Sequence, residues 1–251
     1  MQKRRGEYGV DAPRVLLGLV LGSVAGWCIG AVGLSIGFVW LGVLGFANGA
    51  FLGLSALSFL WTTRRGKFAV WEELLDEAGL RGDEHILDVG CGRGAVLLMA
   101  AQRVARGRAV GIDVWSRVGQ SGNSRELALR NAALEGVAER VELHTGDARR
   151  IPFPDQSFDL VTSSLVLHHV RAPDERARCV EEMARVLKPG GLALVADVQH
   201  AREYQQHFER VQRAPVVRRR LGFRFWYGGP HVATSLVMVR KDERAPAHAV
   251  G

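Results

Sequence analysis

The chain has 251 residues, with 33 Lys and Arg against 26 Asp and Glu, a formal net charge of +7. That length holds one ordinary domain and something more, and the basic excess suits nucleic acid, an anionic lipid surface or an acidic ligand. The three cysteines, Cys28, Cys91 and Cys179, stand apart with no C-x-x-C or Cys/His cluster. A disulfide framework and a zinc site are therefore not expected.

Residues 1–14 are short, polar and basic, and residues 15–61 then contain no charged side chain. As one helix that uncharged run would measure about 70 Å at ~1.5 Å per residue, more than twice a bilayer core of about 30 Å. Two spans joined by a tight turn fit better, the first near residues 14–33 and the second near 37–60. Gly18, Gly22, Gly26 and Gly30 recur every four residues, as do Gly45, Gly49 and Gly53. In lipid, small residues at that spacing let two helix backbones approach closely. The run is too long for a signal peptide and lacks a small-residue cleavage pattern. Lys3, Arg4, Arg5 and Arg14 precede the first span, and Arg64, Arg65 and Lys67 come after the second. The expected protein is a multi-pass cell-membrane protein with both termini on the cytoplasmic side. Asn48, the strongly polar residue inside the run, is expected to make an interhelical hydrogen bond.

Residues 62–80 read as a linker of about five residues and an amphipathic helix carrying Phe68, Val70, Trp71, Leu74 and Leu75, which would hold the remainder of the chain close to the bilayer. From residue 81 to 241 short apolar runs alternate with helical patterns. Strands are expected at 85–89, 109–113, 141–145, 158–163 and 192–197, and helices near 95–105, 125–135, 174–187 and 202–213. Two further β-rich runs lie at 223–227 and 234–240. This order predicts an α/β fold, a Rossmann-like, seven-stranded, mostly parallel sheet with helices on both faces. Residues 242–251 read as a loose tail.

The chemistry concentrates at Ile86-Leu87-Asp88-Val89-Gly90-Cys91-Gly92-Arg93-Gly94, a strand running into a glycine loop and then a helix. Such a turn lets backbone approach a nucleotide-like ligand, with helix N–H groups ready for an anion. Gly90, Gly92 and Ala95 also fit a dinucleotide fingerprint, with Asp113 at the ribose position. The downstream order is Gly111-Ile112-Asp113, Gly146-Asp147-Ala148, Phe158-Asp159-Leu160-Val161 and Leu187-Lys188-Pro189-Gly190-Gly191. Together the series resembles the class I S-adenosylmethionine-dependent methyltransferases, of the ubiquinone/menaquinone small-molecule type.

That resemblance implies S-adenosyl-L-methionine as cofactor, no metal, and a C-terminal antiparallel strand pair. It implies that Asp88, Gly90, Gly92, Gly94 and Ser163 line the donor. Asp113 would accept from the ribose hydroxyls, and Asp147 and Ala148 would sit at the adenine. The stretch after the fourth strand faces the acceptor in this family, so His168 or His169 would either serve as a base or simply pack and hydrogen-bond the loop. Trp115, in a loop longer than usual, either stacks on adenine or anchors the loop. The acceptor is expected to be a small amphipathic or lipid-like molecule, with a soluble small molecule and a non-catalytic nucleotide-binding role as alternatives. Arg213, Arg218, Arg219, Arg220 and Arg224, interleaved with Phe223, Phe225, Trp226 and Tyr227, are read as a solvated face or a headgroup contact. Nucleic acid is not an expected partner, and the oligomeric state is open.

Overall fold

The structure is a computed structural model that describes residues 4–116, 123–212 and 214–243. Helix α1 (Pro13–Ser35) starts on a proline, which suits a first turn whose N–H needs no partner, and α2 (Val39–Trp61) returns beside it. The turn lies at residues 36–38, two beyond the expected place, because Gly37 takes φ +82 there.

The seam between the two helices is made of glycine. A Cβ on Gly26 would lie 2.6 Å from the Gly49 nitrogen, and one on Gly33 would lie 2.6 Å from that of Gly42. Backbone therefore meets backbone, and Ser23 Oγ donates to the Gly49 carbonyl at 2.7 Å. Asn48 is exposed and has no hydrogen-bond partner among the described residues, so Ser23 makes the bond expected of Asn48. The outward faces are apolar, with Trp40 80% and Leu54 68% exposed. Both helices are long and apolar enough to cross a membrane, and only 17% and 28% of their most apolar windows are buried. A soluble core helix would be mostly covered.

No linker separates α2 from the next helix. A single π-helical turn (Thr62–Gly66) carries it straight into α3 (Lys67–Glu77), giving one helical rod from Val39 to Glu77. The apolar stripe of α3 is not left beside a bilayer. Phe68, Trp71, Leu74 and Leu75 are 1–3% exposed, packed into the core of the α/β domain.

That domain comprises β1 (His85–Val89), α4 (Ala95–Arg103), β2 (Arg108–Asp113), α5 (Arg125–Leu134), β3 (Val141–Thr145) and β4 (Phe158–Ser164). It continues with α6 (Pro173–Val186), β5 (Leu187–Asp197), α7 (Ala201–Gln212), β6 (Val216–Arg220) and β7 (Ser235–Arg240). The sheet order is β3-β2-β1-β4-β5-β7-β6, with β7 antiparallel to both neighbours. Ile86 faces a core shared with α3 and α4, while Leu87 and Val89 face the core under α6 and α7. Both faces are covered, as a parallel sheet requires.

Two strands depart from expectation. β5 begins at Leu187, so Lys188–Gly191 belongs to the strand. β6 falls on Val216–Arg220, whereas Phe223–Phe225 is a 3-10 turn. An arginine-rich strand is tolerated because β6 is an edge. Arg219 pairs with Glu77, Arg224 with Glu73, and Arg218 Nε donates to Gln205. These three arginines thus fasten the sheet edge to α3 and α7, while Arg218, Arg219 and Arg220 stay exposed on the solvated face expected of them. Arg213 and most of the tail lie outside the described residues.

Residues 4–11 are fastened across the domain. Arg4 pairs with Glu72 at 2.8 Å, and the Arg5 and Gly6 N–H groups and the Tyr8 hydroxyl all donate to Glu135 Oε1. Asp11 accepts from Lys67 Nζ (2.6 Å), Thr63 Oγ1 (2.7 Å) and the Tyr227 hydroxyl (2.7 Å).

Candidate active site

β1 pairs with β2 on one side and β4 on the other, which makes the C-terminal end of β1 the switch point where open α/β sheets take ligands. The glycine loop lies there. Gly90 has φ +72, and a Cβ on it would run into the Val166 methyls, so loop and lid residue touch through glycine alone. Gly94, at φ +86, turns the chain into α4. Gly92 gives its N–H to Asp113 Oδ2 at 2.8 Å.

Asp113 ends β2 and is 9% exposed. Its Oδ1 accepts from the Trp115 N–H (2.7 Å) and Asn123 Nδ2 (3.1 Å). Three protein donors leave acceptor capacity on a carboxylate that can take about four. Asn123 is buried, and among the described residues its Oδ1 has no partner. The sequence does not single out Asn123, because it reaches Asp113 across a ten-residue loop. Trp115 donates through Nε1 to Thr145 Oγ1 at 3.0 Å and so anchors the loop to β3. The rest of that loop, residues 117–122, lies outside the described residues.

Asp88 is 2% exposed and works beneath the loop. Its Oδ2 accepts from the Leu97 N–H and its Oδ1 from the Thr162 hydroxyl, which locks the start of α4 to β4. Burial pushes its pKa up to about 7, against the hydrogen bonds that pull it down. The native state then keeps a proton that the unfolded chain loses above pH ~4, so stability falls as pH rises through that window. Asp88→Asn can give its oxygen to Leu97 and its amide to Thr162. Its melting temperature should fall less between pH 5 and 8 than that of the parent, read by calorimetry. Equal slopes would show that Asp88 titrates normally.

The Gly146 N–H donates to the Asp113 carbonyl at 3.1 Å, bringing the end of β3 beside Asp113. Asp147 is nevertheless committed to Arg149, whose guanidinium holds it at 2.6 Å and below the usual carboxylate range, and which also pairs with Glu175. Ala148 is half-buried against the α6–α7 core. Ser163 is 1% exposed and donates to the Val89 carbonyl at 3.1 Å, tying β4 to β1 under the glycine loop.

Past β4 the chain folds over the loop through Leu165, whose φ is +61. Trp115 (+56) and His200 (+59), in the loops after β2 and β5, share that uncommon conformation. Ala12 and Gln156 adopt it as well, away from these loops, so the conformation shapes the turns after β2, β4 and β5 without being confined to them. His168 Nδ1 lies 2.6 Å from Asp197 Oδ1, and its own N–H donates to Asp197 Oδ2 at 3.1 Å. Asp197 ends β5, is 1% exposed, and also accepts from the Val198 N–H. In a neutral ring whose Nδ1–H is held by the carboxylate, Nε2 is the nitrogen free to take a proton. His169 packs on His168 with ring centroids 4.0 Å apart, and burial together with the neighbouring His168 lowers its pKa. Sequence reasoning misses Asp197 as a site residue because it lies 29 positions from His168. Trp71 of α3 donates through Nε1 to Ser164 Oγ at 3.0 Å, so the rod from α2 touches the start of this loop.

The sheet order, the antiparallel β7 and an acid at the end of β2 beside a glycine loop define the class I methyltransferase fold. The sequence profile of the "Methyltransferase domain" family matches residues 87–195. A demethylmenaquinone methyltransferase of Symbiobacterium thermophilum is 34% identical over 128 residues, 50% of this chain and 47% of that protein. The chain thus spans about half the length of the curated relatives it matches. In fold it is similar to the [4+2]-cyclase SpnF (TM-score 0.56, 20% identity, 68% of this chain and 80% of that one). It is also similar to a SAM-dependent methyltransferase from Aquifex aeolicus (TM-score 0.51, 21% identity, 67% and 88%). Residues 87–195 are thus a methyltransferase domain by sequence, set in a fold shared with S-adenosylmethionine-dependent methyltransferases, and the cofactor these findings support is S-adenosyl-L-methionine.

The residues present fit that cofactor. The glycine loop is a cradle that side chains would fill, and Asp113 and Asn123 Oδ1 offer adjacent buried acceptors for hydroxyl donors. Asp113→Ala should weaken S-adenosylmethionine binding roughly 10- to 100-fold, the loss of bonds to a charged acceptor, in a calorimetric titration of folded protein. Unchanged affinity would make Asp113 a turn residue only.

Proposed function

We propose that the protein is a membrane-anchored methyltransferase that methylates a small amphipathic acceptor of the quinol type drawn from the bilayer. When bound, S-adenosylmethionine supplies a methyl group on a sulfonium, already activated for in-line attack. The protein's work is to hold the acceptor in line, exclude water and take up a proton. His168 Nε2, with Nδ1–H fixed by Asp197, receives the proton of an acceptor hydroxyl as carbon or oxygen takes the methyl. Val166 over Gly90 closes the loop side.

The observation that carries the membrane part is the continuous rod Val39–Glu77, which ends in the Trp71–Ser164 bond at the loop after β4. The likeness to the demethylmenaquinone methyltransferase of Symbiobacterium supports a quinone-type acceptor. The basic residues flanking the hairpin support cytoplasmic termini and a cytoplasm-facing domain. The test is incubation of the full chain, reconstituted in liposomes, with isotope-labelled S-adenosylmethionine and an isoprenoid hydroquinone. Label in the hydroquinone is the expected result. Label only in water-soluble compounds from an extract would instead favour an anchored enzyme with a soluble acceptor. Deleting the hairpin is not a clean control, since Ser58 and Thr62 of the rod both donate to the Trp226 carbonyl.

A further inference from the structure

Where the rod leaves the hairpin, a groove of about 770 Å³ runs between α2 and the segment after β6. Leu54, Leu57 and Trp61 form one wall, and Phe223, Trp226 and Pro230 the other. These walls are open: Leu57 is 64% and Phe223 66% exposed, and Trp61 stacks on Phe223 with centroids 6.2 Å apart. At the domain end of the groove stand Arg64 and Arg65, on the π-helical turn. Both are exposed, and among the described residues neither has an ion pair or hydrogen bond. Their neighbours differ: Arg219 and Arg224 are paired with acids of α3, and Lys67 with Asp11.

An apolar trough with two free guanidiniums at one end asks for a ligand with a long hydrocarbon chain and an anionic head. From Leu54 to Arg64 the helix rises about 15 Å, half of a ~30 Å hydrocarbon core, so the trough is one leaflet deep. A quinol offers the chain without the anion, and a free nucleotide the anion without the chain. We propose that this groove binds one anionic phospholipid, its phosphate between Arg64 and Arg65 and one acyl chain along Leu54, Leu57 and Trp61 against Phe223. The site rests on the hairpin being a membrane anchor and does not depend on the identity of the methyl acceptor.

The test is native mass spectrometry of the full chain in detergent, titrated with dioleoylphosphatidylglycerol or with dioleoylphosphatidylcholine. One phosphatidylglycerol should be retained per protein, and the zwitterionic lipid much less. Arg64→Gln/Arg65→Gln should reduce that retention about 30-fold, the combined worth of two arginines near anionic headgroups. Phe223→Ala should reduce it as well. Inorganic phosphate at millimolar concentration should not displace the lipid. Equal retention of the two lipids, or full retention by the double variant, would overturn the proposal and leave an ordinary annular contact. Displacement by phosphate would overturn it too, as a headgroup-only site. Calorimetry with S-adenosylmethionine on the same variants should be unchanged, which separates a failure here from a failure of the methyltransferase reading. Carbonate extraction from liposomes scores insertion of the hairpin independently.

Discussion

His168→Ala should lower turnover by about 10²- to 10⁴-fold, the usual worth of a positioned general base, while S-adenosylmethionine affinity stays within about twofold of the parent. His168 hangs on Asp197 and lies across the loop from Asp113, so its removal takes nothing from the donor contacts. His168→Gln is the sharper variant. It can keep a bond to Asp197 and fill the space, yet it accepts no proton, so its turnover should match that of the alanine form. Asp197→Asn turns the fixed partner of Nδ1 from acceptor to potential donor and favours the wrong ring tautomer, as amide replacements of such carboxylates do. A loss of turnover with unchanged donor affinity is expected there as well. Single-turnover kinetics with isotope-labelled donor measures all three. Parental turnover in His168→Gln would show that the acceptor reacts without a base on this residue.

Gly45→Leu should open the helical hairpin. A Cβ at Gly45 has no room against the Gly30 backbone, and Gly26 and Gly49 meet as closely one turn away. Overpacking of this kind costs about 1–3 kcal/mol or more where backbone cannot yield. Lipid supplies no hydrophobic pressure to hold the helices together against it. The measurement is a cross-link. A Cβ on Gly53 would lie 3.0 Å from Ser23 Oγ, so a Ser23→Cys/Gly53→Cys protein that also carries Cys28→Ala should oxidise to a disulfide. Adding Gly45→Leu should abolish that bond. Adding Gly18→Leu, at a position that faces open space, should not. Cross-linking that survives Gly45→Leu would place the helix contact elsewhere.

The legible parts of this protein are those written in neighbouring residues. The strand-loop-helix at residues 86–94 and the acid at 113 are local patterns, and the structure puts Gly92 and Asp113 in direct contact. The glycine spacing of the uncharged run likewise encodes a helix seam that the structure forms. The features that escape a reading of the sequence depend on distant partners. Asp197 and Asn123 are ordinary strand-end and loop residues until folding sets them beside His168 and Asp113. β6 escapes because an edge strand facing solvent carries Val216, Val217 and three arginines, with none of the apolar alternation that marks a strand. The stripe on α3 is recognisably apolar, but periodicity names no partner, and the structure shows that the core of the α/β domain claims it. The tie between Asp147 and Arg149 spans two positions, but only the structure shows that the arginine folds back onto it.

Because the rod from Val39 to Glu77 is unbroken, the reaction centre keeps one altitude and one heading above the hairpin. On the function proposed above, with that hairpin in a bilayer and a quinol as acceptor, the enzyme would search for its acceptor in two dimensions. The quantity driving its rate would then be the mole fraction of acceptor among the lipids, whatever the amount per millilitre. Diluting a fixed quantity of quinol with inert lipid would slow such an enzyme, while adding water would leave it indifferent.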